Sequence, residues 1–274
     1  MIFKDFFQKK VKINSSISFD SEELGGVIAQ NRKSLSEIET WQNDAAMIGS
    51  CFEYGVPSFI RVELDKKLNN DPTYSDYILL VARKYFENLN YLEIGVSVGK
   101  NFFQILNGVK NSNLVGFDIE DIYPVLQKKL DFKSDSFWPS LSNSIKKNNS
   151  SLKEYSYNSN KVKYISADVW DENSWKRLSG EKFNIIFSDA LHTPEAILFE
   201  FEMLVKYKLL ADKFVIVWDD LVGDMQKSFY QIIKKYDKEY NIKSKFLIKV
   251  NGWVGQYEDK HSVGIISNFE ISSQ

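Results

Sequence analysis

The feature that most constrains the fold is a regular alternation of strand-like and helix-like segments from residue 76 onward. Short apolar runs stand at 91–95, 113–120, 161–171, 183–192 and 213–220. Apolar residues at helical spacing occupy 74–88, 100–109, 195–207 and 225–240. This alternation predicts an α/β fold, and strands that are apolar nearly throughout indicate a sheet covered on both faces. Two further runs, 245–251 and 262–269, predict a hairpin-like pair that closes the sheet.

Acidic residues end every one of the core strands. They are Glu93, Asp118, Asp168, Asp189, Asp219 and Asp220. Open α/β sheets bind ligands beyond the carboxyl ends of their strands, so these acids are expected to border one ligand site.

The loop after the first core strand carries two glycines at an unusual spacing. Gly95 and Gly99 form the pattern E-x-G-x-x-x-G, with Ser97 where a dinucleotide fingerprint has glycine. The spacing fits a pyrophosphate poorly and suits a ligand without that group. Gly95 is expected to let the chain turn sharply off the strand, and Gly99 to let backbone approach the ligand at the helix start.

Three of the acids predict the chemistry of that ligand. Glu93 can accept a hydrogen bond from an ammonium or hydroxyl group. Asp118 stands where a carboxylate can accept both hydroxyls of a ribose, and Asp168 stands where an acid can take an exocyclic amine such as that of adenine. Together they predict a pocket for an adenosine ligand that carries an amino acid rather than phosphates.

In this order, the motifs "LEIGVSVGKN", "VGFDIE", "ISADVWD" and "FSDALH" resemble the class I, Rossmann-like methyltransferases that use S-adenosylmethionine. The resemblance spans about residues 76–269. It implies a doubly wound, mainly parallel seven-stranded sheet with a reversed last strand, and S-adenosylmethionine as the cofactor. The cofactor-binding residues it implies are Glu93, Gly95, Ser97, Gly99, Asn101, Asp118, Ile119, Asp168 and Val169.

A second group of polar residues follows the fourth and fifth core strands. "SDALH" gives Asp189 and His192, and "VWDD" gives Asp219 and Asp220. Three converging carboxylates repel one another unless a cation joins them, and oxygen ligands favour Mg²⁺. The arrangement resembles metal-dependent O-methyltransferases of the antibiotic-sugar type. That resemblance implies Asp189, Asp219 and Asp220 as metal ligands, His192 as general base, and a sugar or sugar-bearing natural product as hydroxylated acceptor.

Other interpretations of these residues stay open at this point. Asp189 can instead cap the helix that begins near Pro194, although Thr193 can do the same. His192 can be structural, and Asp219 with Asp220 can be a solvated strand end. His261 is expected to be structural or on the surface, with a reserve role as base.

Three alternative functions compete with the O-methyltransferase. The first is a metal-independent methyltransferase acting on an amine or peptide, and the second is a non-catalytic Rossmann-like module that binds a partner. A nicotinamide oxidoreductase is disfavoured by the loop spacing.

Composition and the segments outside the alternation complete the expectations. The net charge of −2 predicts no attraction to nucleic acid, and no window is apolar enough for a membrane helix, so a cytoplasmic protein is expected.

Residues 1–75 predict an N-terminal extension with a helix around 33–50, serving as a lid or as the arm of a homo-oligomer. Residues 76–274 predict the Rossmann-like domain. Within it, the Ser/Asn-rich stretch 134–160 is interpreted as a mobile surface insertion whose "FWP" can fold over a substrate.

Overall fold

One nine-stranded sheet organises the computed structural model, which describes residues 12–39, 71–140, 149–251 and 261–271. The strands are β1 (Asn90–Ile94), β2 (Asn113–Asp118), β3 (Asp131–Pro139), β4 (Asn149–Tyr157), β5 (Asn160–Ser166), β6 (Phe183–Ser188), β7 (Leu210–Trp218), β8 (Ser244–Val250) and β9 (His261–Ser267). The helices are α1 (Ser21–Glu39), α2 (Tyr74–Tyr85), α3 (Lys100–Gly108), α4 (Pro124–Gln127), α5 (Glu172–Lys176), α6 (Pro194–Lys206) and α7 (Asp224–Tyr236). Every predicted core strand and helix from residue 74 onward is present.

The strand order is β3-β4-β5-β2-β1-β6-β7-β9-β8. The five central strands, from β5 to β7, run parallel. The last strand, β9, is antiparallel to both of its neighbours, β7 and β8. The prediction of a mainly parallel, Rossmann-like sheet with a reversed last strand is therefore confirmed, but the sheet has nine strands rather than seven.

The two additional strands come from the segment that was interpreted as a mobile loop. β3 and β4 form an antiparallel pair, and β4 also pairs antiparallel with β5. Serine-rich composition concealed a strand that buries Ser150, Ser151 and Tyr155 against its neighbours. The loop interpretation is wrong for the described parts of 134–160, while residues 141–148 lie outside them. Trp138 of "FWP" is buried, with the guanidinium of Arg177 4.8 Å from its ring centroid.

Helices cover both faces of the sheet, as the apolar strands predicted. One core cluster joins α1, α2 and α3 to one face and includes Leu79, Tyr91 and Phe102. The other joins α6 and α7 to the opposite face and includes Phe201 and Trp218. Successive residues of a strand point to opposite faces, which is why Tyr91 and Leu92 of β1 belong to different clusters.

The N-terminal helix packs on the domain through a buried carboxylate. Asp76, in the first turn of α2, accepts from Asn31 Nδ2 at 2.7 Å and pairs with Arg32 at 3.1 Å. The same carboxylate accepts from the backbone of Thr73 at 2.8 Å, which completes a capping box for α2. α1 begins at Ser21, earlier than predicted, and residues 40–50 of the predicted helix lie outside the described parts.

Among the described residues, no helix is both long enough and apolar enough to cross a membrane.

Candidate functional site

A cavity of about 280 Å³ opens at the carboxyl ends of β1, β2 and β5. Its lining comprises Tyr74, Glu93, Gly95, Val96, Ser97, Val98, Lys100, Asn101, Asp118, Ile119, Glu120, Asp168, Val169, Asp189, Ala190 and Leu191. Every predicted cofactor-binding residue except Gly99 is in this lining. The structure thus brings residues from four separate motifs to one concave site.

The two loop glycines serve different local needs. Gly95 has φ +87°, and a Cβ there would lie 2.4 Å from the carbonyl oxygen of Asp189. Gly95 therefore lets the end of β1 press against the segment that follows β6. Gly99 has φ +83°, and a Cβ there would lie 2.7 Å from Cδ2 of Leu126. Gly99 thus permits packing of α3 against α4, and the expected approach of its backbone to a ligand stays a prediction.

Asp118 fixes the shape of the glycine loop. Its Oδ2 accepts from the backbone N–H groups of Val96 and Ser97, both at 2.7 Å. Its Oδ1 accepts from the backbone N–H of Glu120 at 2.8 Å. A carboxylate offers about four acceptor sites, so Asp118 can still accept from a ligand. The sequence predicted the ligand contact and missed this role as an anchor of the loop.

Glu93 is buried beneath the loop in a small hydrogen-bonded group. Its Oε2 accepts from the hydroxyl of Tyr91 and from Nδ2 of Asn101, both at 2.6 Å. Burial raises the pKa of Glu93 to about 8. Within the described parts of the chain, Oδ1 of Asn101 has no hydrogen-bond partner. A buried carboxyl beside an unpaired amide oxygen fits a cationic donor such as an α-ammonium group.

Asp168 shapes the far side of the cavity. Its Oδ1 accepts from the backbone N–H of Trp170 at 3.0 Å. That bond holds the turn after β5, so Val169 faces the cavity. Ile119, which is 42% exposed, contributes apolar surface to the same lining. Carboxylate with apolar neighbours suits a planar heteroaromatic ring bearing an amine.

The second predicted group also comes together in space. His192 Nε2 lies 3.0 Å from Asp189 Oδ1, and His192 Nδ1 lies 3.4 Å from Asp220 Oδ2. Backbone bonds from Asp189 to Ile94 and from Asp219 to Ser188 join the ends of β1, β6 and β7. α6 is capped by Thr193, whose hydroxyl accepts from the N–H of Ala196 at 3.2 Å. Capping therefore does not explain Asp189.

His261 also contacts this group. It was expected to be structural or on the surface, with a reserve role as base, and its burial excludes the surface. It begins β9, and its Nδ1 lies 2.8 Å from Asp219 Oδ2 and 3.1 Å from Asp220 Oδ1. Burial lowers the pKa of His261, but the two carboxylates outweigh this effect and raise it to about 10. No sequence signal placed His261 here, because only the insertion of β9 beside β7 brings it to Asp219.

The carboxylates and histidines of this cluster shift one another's pKa values. Burial, followed by the nearby Asp219, raises the pKa of Asp189. The hydrogen bond from His192 to Asp189 raises the pKa of that histidine, while burial opposes the shift. Asp219, Asp220 and His261 each offer a ligand atom within 4.8 Å of the others, an arrangement able to hold a metal ion. The cluster can bind a cation and can exchange a proton, and Asp189 links it to the cavity.

Comparison with known proteins agrees with this geometry. Residues 92–221, a little under half of the chain, match the family model described as "Methyltransferase domain". The matched segment runs from β1 to the residue after Asp220, so it contains the glycine loop and both acidic groups. No curated protein matches the chain.

Solved structures with similar folds are distant in sequence. Cofactor-bound Rv0187 from MTB is 11% identical, with a TM-score of 0.47 over 93% of this chain and 92% of that one. The O-methyltransferase from Bacillus cereus, in complex with SAH, is 13% identical, with a TM-score of 0.45 over 90% of each chain. TomG from Streptomyces achromogenes, an O-methyltransferase, is 12% identical, with a TM-score of 0.46 over 90% of this chain and 98% of that one. At these values the likenesses transfer no ligand or activity to this chain.

Proposed function

We propose that the chain uses S-adenosylmethionine to methylate a hydroxyl of a small molecule, with the help of a divalent metal ion. Residues 92–221 match a methyltransferase domain. The observation that carries this proposal is the position of Asp189. It lines the cofactor cavity and also binds His192 in the acidic cluster. The methyl donor and the hydroxyl that accepts the methyl group would therefore meet beside this residue.

The cavity has the polar groups that S-adenosylmethionine needs. Glu93 and Asn101 offer oxygen atoms to its ammonium group, and Asp118 offers a carboxylate to its ribose hydroxyls. Asp168, Val169 and Ile119 suit the adenine ring. Bound there, the cofactor supplies a methyl group on a sulfonium sulfur.

The acidic cluster supports transfer to oxygen. An alcohol must lose its proton as its oxygen forms the new bond to the methyl carbon and the carbon–sulfur bond breaks. With Nε2–H of His192 donated to Asp189, Nδ1 is the basic atom that takes this proton. His192 is 44% exposed, so an acceptor can reach it.

The predicted metal ligands are Asp189, Asp219 and Asp220, which follow β6 and β7 beside the cavity. In the described residues, Oδ1 of Asp219 is buried without a hydrogen-bond partner, which fits a bound cation. A divalent ion there would lower the pKa of the hydroxyl and orient it. A vicinal diol can chelate such an ion through both oxygens, which supports a sugar or a sugar-bearing natural product as acceptor.

Calorimetric titration with S-adenosylhomocysteine tests the cofactor site. We expect the wild type to bind and Asp118→Ala to lose binding, because the substitution removes both the ribose acceptor and the loop anchor. Asp121→Ala is the matched control, since Asp121 is half exposed, pairs with Lys153 and is absent from the cavity lining. A wild type that fails to bind would exclude the proposed cofactor.

A metal-independent methyltransferase is the second candidate, and His261 favours it. The contacts of His261 with Asp219 and Asp220 already place a cationic group between the acids. The two candidates differ in their response to a chelator once an acceptor has been found. Turnover that persists in a chelator and in Asp219→Ala would favour the metal-independent enzyme.

Location in the cytoplasm and a homo-oligomer formed through residues 1–75 stay predictions.

A further inference from the structure

We infer that His261 is itself a metal ligand, binding a divalent ion through Nδ1 together with Asp219 and Asp220. This inference rests on the proposed metal-assisted function and changes its ligand set. It gives the site one nitrogen and at least two oxygen ligands, so the ion belongs to the Mn²⁺-to-Zn²⁺ class rather than being Mg²⁺.

The distances between the three side chains suit a shared ion. His261 Nδ1 is 2.8 Å from Asp219 Oδ2 and 3.1 Å from Asp220 Oδ1. Two ligand atoms that each bind an ion at about 2.1 Å, at right angles to one another, lie roughly 3.0 Å apart. The spacing therefore requires little rearrangement to receive a metal in place of a proton.

A buried oxygen without a partner points to the same conclusion. Asp219 Oδ1 forms no hydrogen bond with any described residue, on a side chain that is 2% exposed. Asp220 Oδ1 faces the imidazole of His261 at 3.1 Å. A buried polar atom without a partner costs about 1–3 kcal/mol, and more when it is charged. A cation bound between these side chains would remove that cost.

The sheet holds the three residues in a fixed relation. His261 begins β9 opposite Val250 of β8, and β9 is paired with β7, which ends just before Asp219. The N–H of Leu221 donates to the carbonyl of Ser262 at 2.8 Å, which ties the acid pair to β9. A site built on strands in this way is preorganised.

The two histidines lie in different environments, which suit one to binding the metal ion and the other to taking a proton. His261 is 2% exposed and faces Asp219 and Asp220, whereas His192 is 44% exposed and binds Asp189. Asp189 lies outside the group whose ligand atoms share one centre. Asp219, Asp220 and His261 would thus hold the ion, leaving Asp189 and His192 to orient the acceptor and take its proton.

An imidazole ligand changes which ions the site prefers. Imidazole nitrogen suits Zn²⁺, Fe²⁺, Ni²⁺ and Cu²⁺, whereas Mg²⁺ prefers oxygen ligands and water. A site with two carboxylates and one imidazole should bind Mn²⁺, Co²⁺ or Zn²⁺ more tightly than Mg²⁺.

Pulsed electron paramagnetic resonance with Mn²⁺ alone tests the inference on the untagged chain. The protein has two histidines, so any directly bound imidazole is His192 or His261. We expect nitrogen coupling to Mn²⁺ in the wild type and in His192→Gln. We expect its loss in His261→Gln, with Mn²⁺ affinity lowered roughly 10- to 100-fold or more.

The wild type and His192→Gln decide the result even if His261→Gln fails to fold. Coupling that survives in His192→Gln can come only from His261 and supports the inference. Bound Mn²⁺ without nitrogen coupling, coupling lost in His192→Gln, or no Mn²⁺ binding at all would overturn it. Titration of the same samples with S-adenosylhomocysteine separates the two proposals, because intact cofactor binding alongside any of these failures rejects the ligand assignment and keeps the methyltransferase.

Discussion

At the scale of single residues, Gly95 shows how a loop glycine can serve the scaffold as well as the ligand. Its positive φ already disfavours a side chain, and the Asp189 carbonyl occupies the space that a Cβ would need. Both effects act at the carboxyl ends of β1 and β6, beside Glu93 and Asp189. A substitution here should therefore disturb folding and the site together.

We predict that Gly95→Ala destabilises the protein by at least about 2 kcal/mol more than Gly180→Ala does. Gly180 has φ +96°, but a Cβ there meets nothing within 4 Å, so that variant carries the backbone strain of about 1–2 kcal/mol alone. Denaturant unfolding of both variants measures the difference. Equal losses would show that the contact with Asp189 does not constrain the loop.

Glu200 is a buried acid that the proposed chemistry does not use. It lies on α6, and its Oε2 accepts from the hydroxyl of Ser188 at 2.5 Å. Burial raises the pKa of Glu200 from 4.5 to about 8. The folded state therefore keeps this group protonated over a pH range in which the unfolded chain ionises it.

We predict that Glu200→Gln flattens the pH dependence of stability between about pH 4.5 and 8. Glu200 contributes its full stability below pH 4.5, and that contribution is lost as pH rises through the folded pKa, by on the order of 5 kcal/mol. The measurement is the free energy of unfolding of variant minus wild type, followed across pH. Contributions from other groups, such as Glu93, cancel in this difference.

Glu202→Gln on the same helix is the control, because Glu202 is 55% exposed and its pair with Lys235 lies at the surface. It removes a carboxylate from the same helix at an exposed position, and so shows what the substitution does apart from burial. A difference that stays constant with pH for Glu200→Gln would show that this carboxyl is ionised in the folded protein.

At the scale of elements, the β3–β4 pair enlarges the sheet beyond the predicted core. β4 bonds to β3 on one side and β5 on the other, while β3 has β4 as its only strand partner among the described residues. Phe132 and Phe137 of β3 are more than half exposed. β4 is thus an interior strand despite its serine-rich sequence, and β3 is an edge.

We predict that hydrogen exchange protects β4 more strongly than β3. Amides bonded within the sheet exchange only when it opens, whereas an edge strand leaves alternate amides in contact with water. Exchange followed by mass spectrometry on peptides from 131–139 and 149–157 measures this, with β2 as a fully interior reference. Rapid exchange throughout 149–157 would instead restore the mobile-loop interpretation.

At the scale of the whole molecule, the parallel strands bring the residues of the site together. β1, β2, β5, β6 and β7 all end at one edge, so residues far apart in the sequence line one cavity and one adjoining acidic cluster. The cofactor should therefore stabilise the folded protein as a whole.

We predict that S-adenosylhomocysteine at about 100 times its dissociation constant stabilises the fold by about 2.7 kcal/mol. For a chain of this size, at about 2–4 °C for each kcal/mol, the melting temperature should rise by roughly 5–10 °C. NAD⁺ should give no shift, because the glycine loop lacks the pyrophosphate fingerprint. Thermal unfolding measures both, and a shift with NAD⁺ alone would favour the oxidoreductase alternative.

The sequence alone determined the seven-stranded core of the sheet, the helices between its strands and the order of its acids. Apolar periodicity and strand-end carboxylates are local properties, so Glu93, Asp118, Asp168 and Asp189 could be placed at one edge by the rule that parallel strands end together. The same rule predicted that His192 would meet the acid pair at 219–220.

Tertiary structure decided the features that depend on contacts between distant segments. Gly99 packs on Leu126, serine-rich β4 becomes an interior strand, and His261 reaches Asp219 only because β9 enters the sheet between β7 and β8. Gly99 and Leu126 are 27 positions apart, and His261 lies 42 positions from Asp219. Local pattern carries no information about such partners, because burial and pairing are set by what the rest of the chain brings beside them.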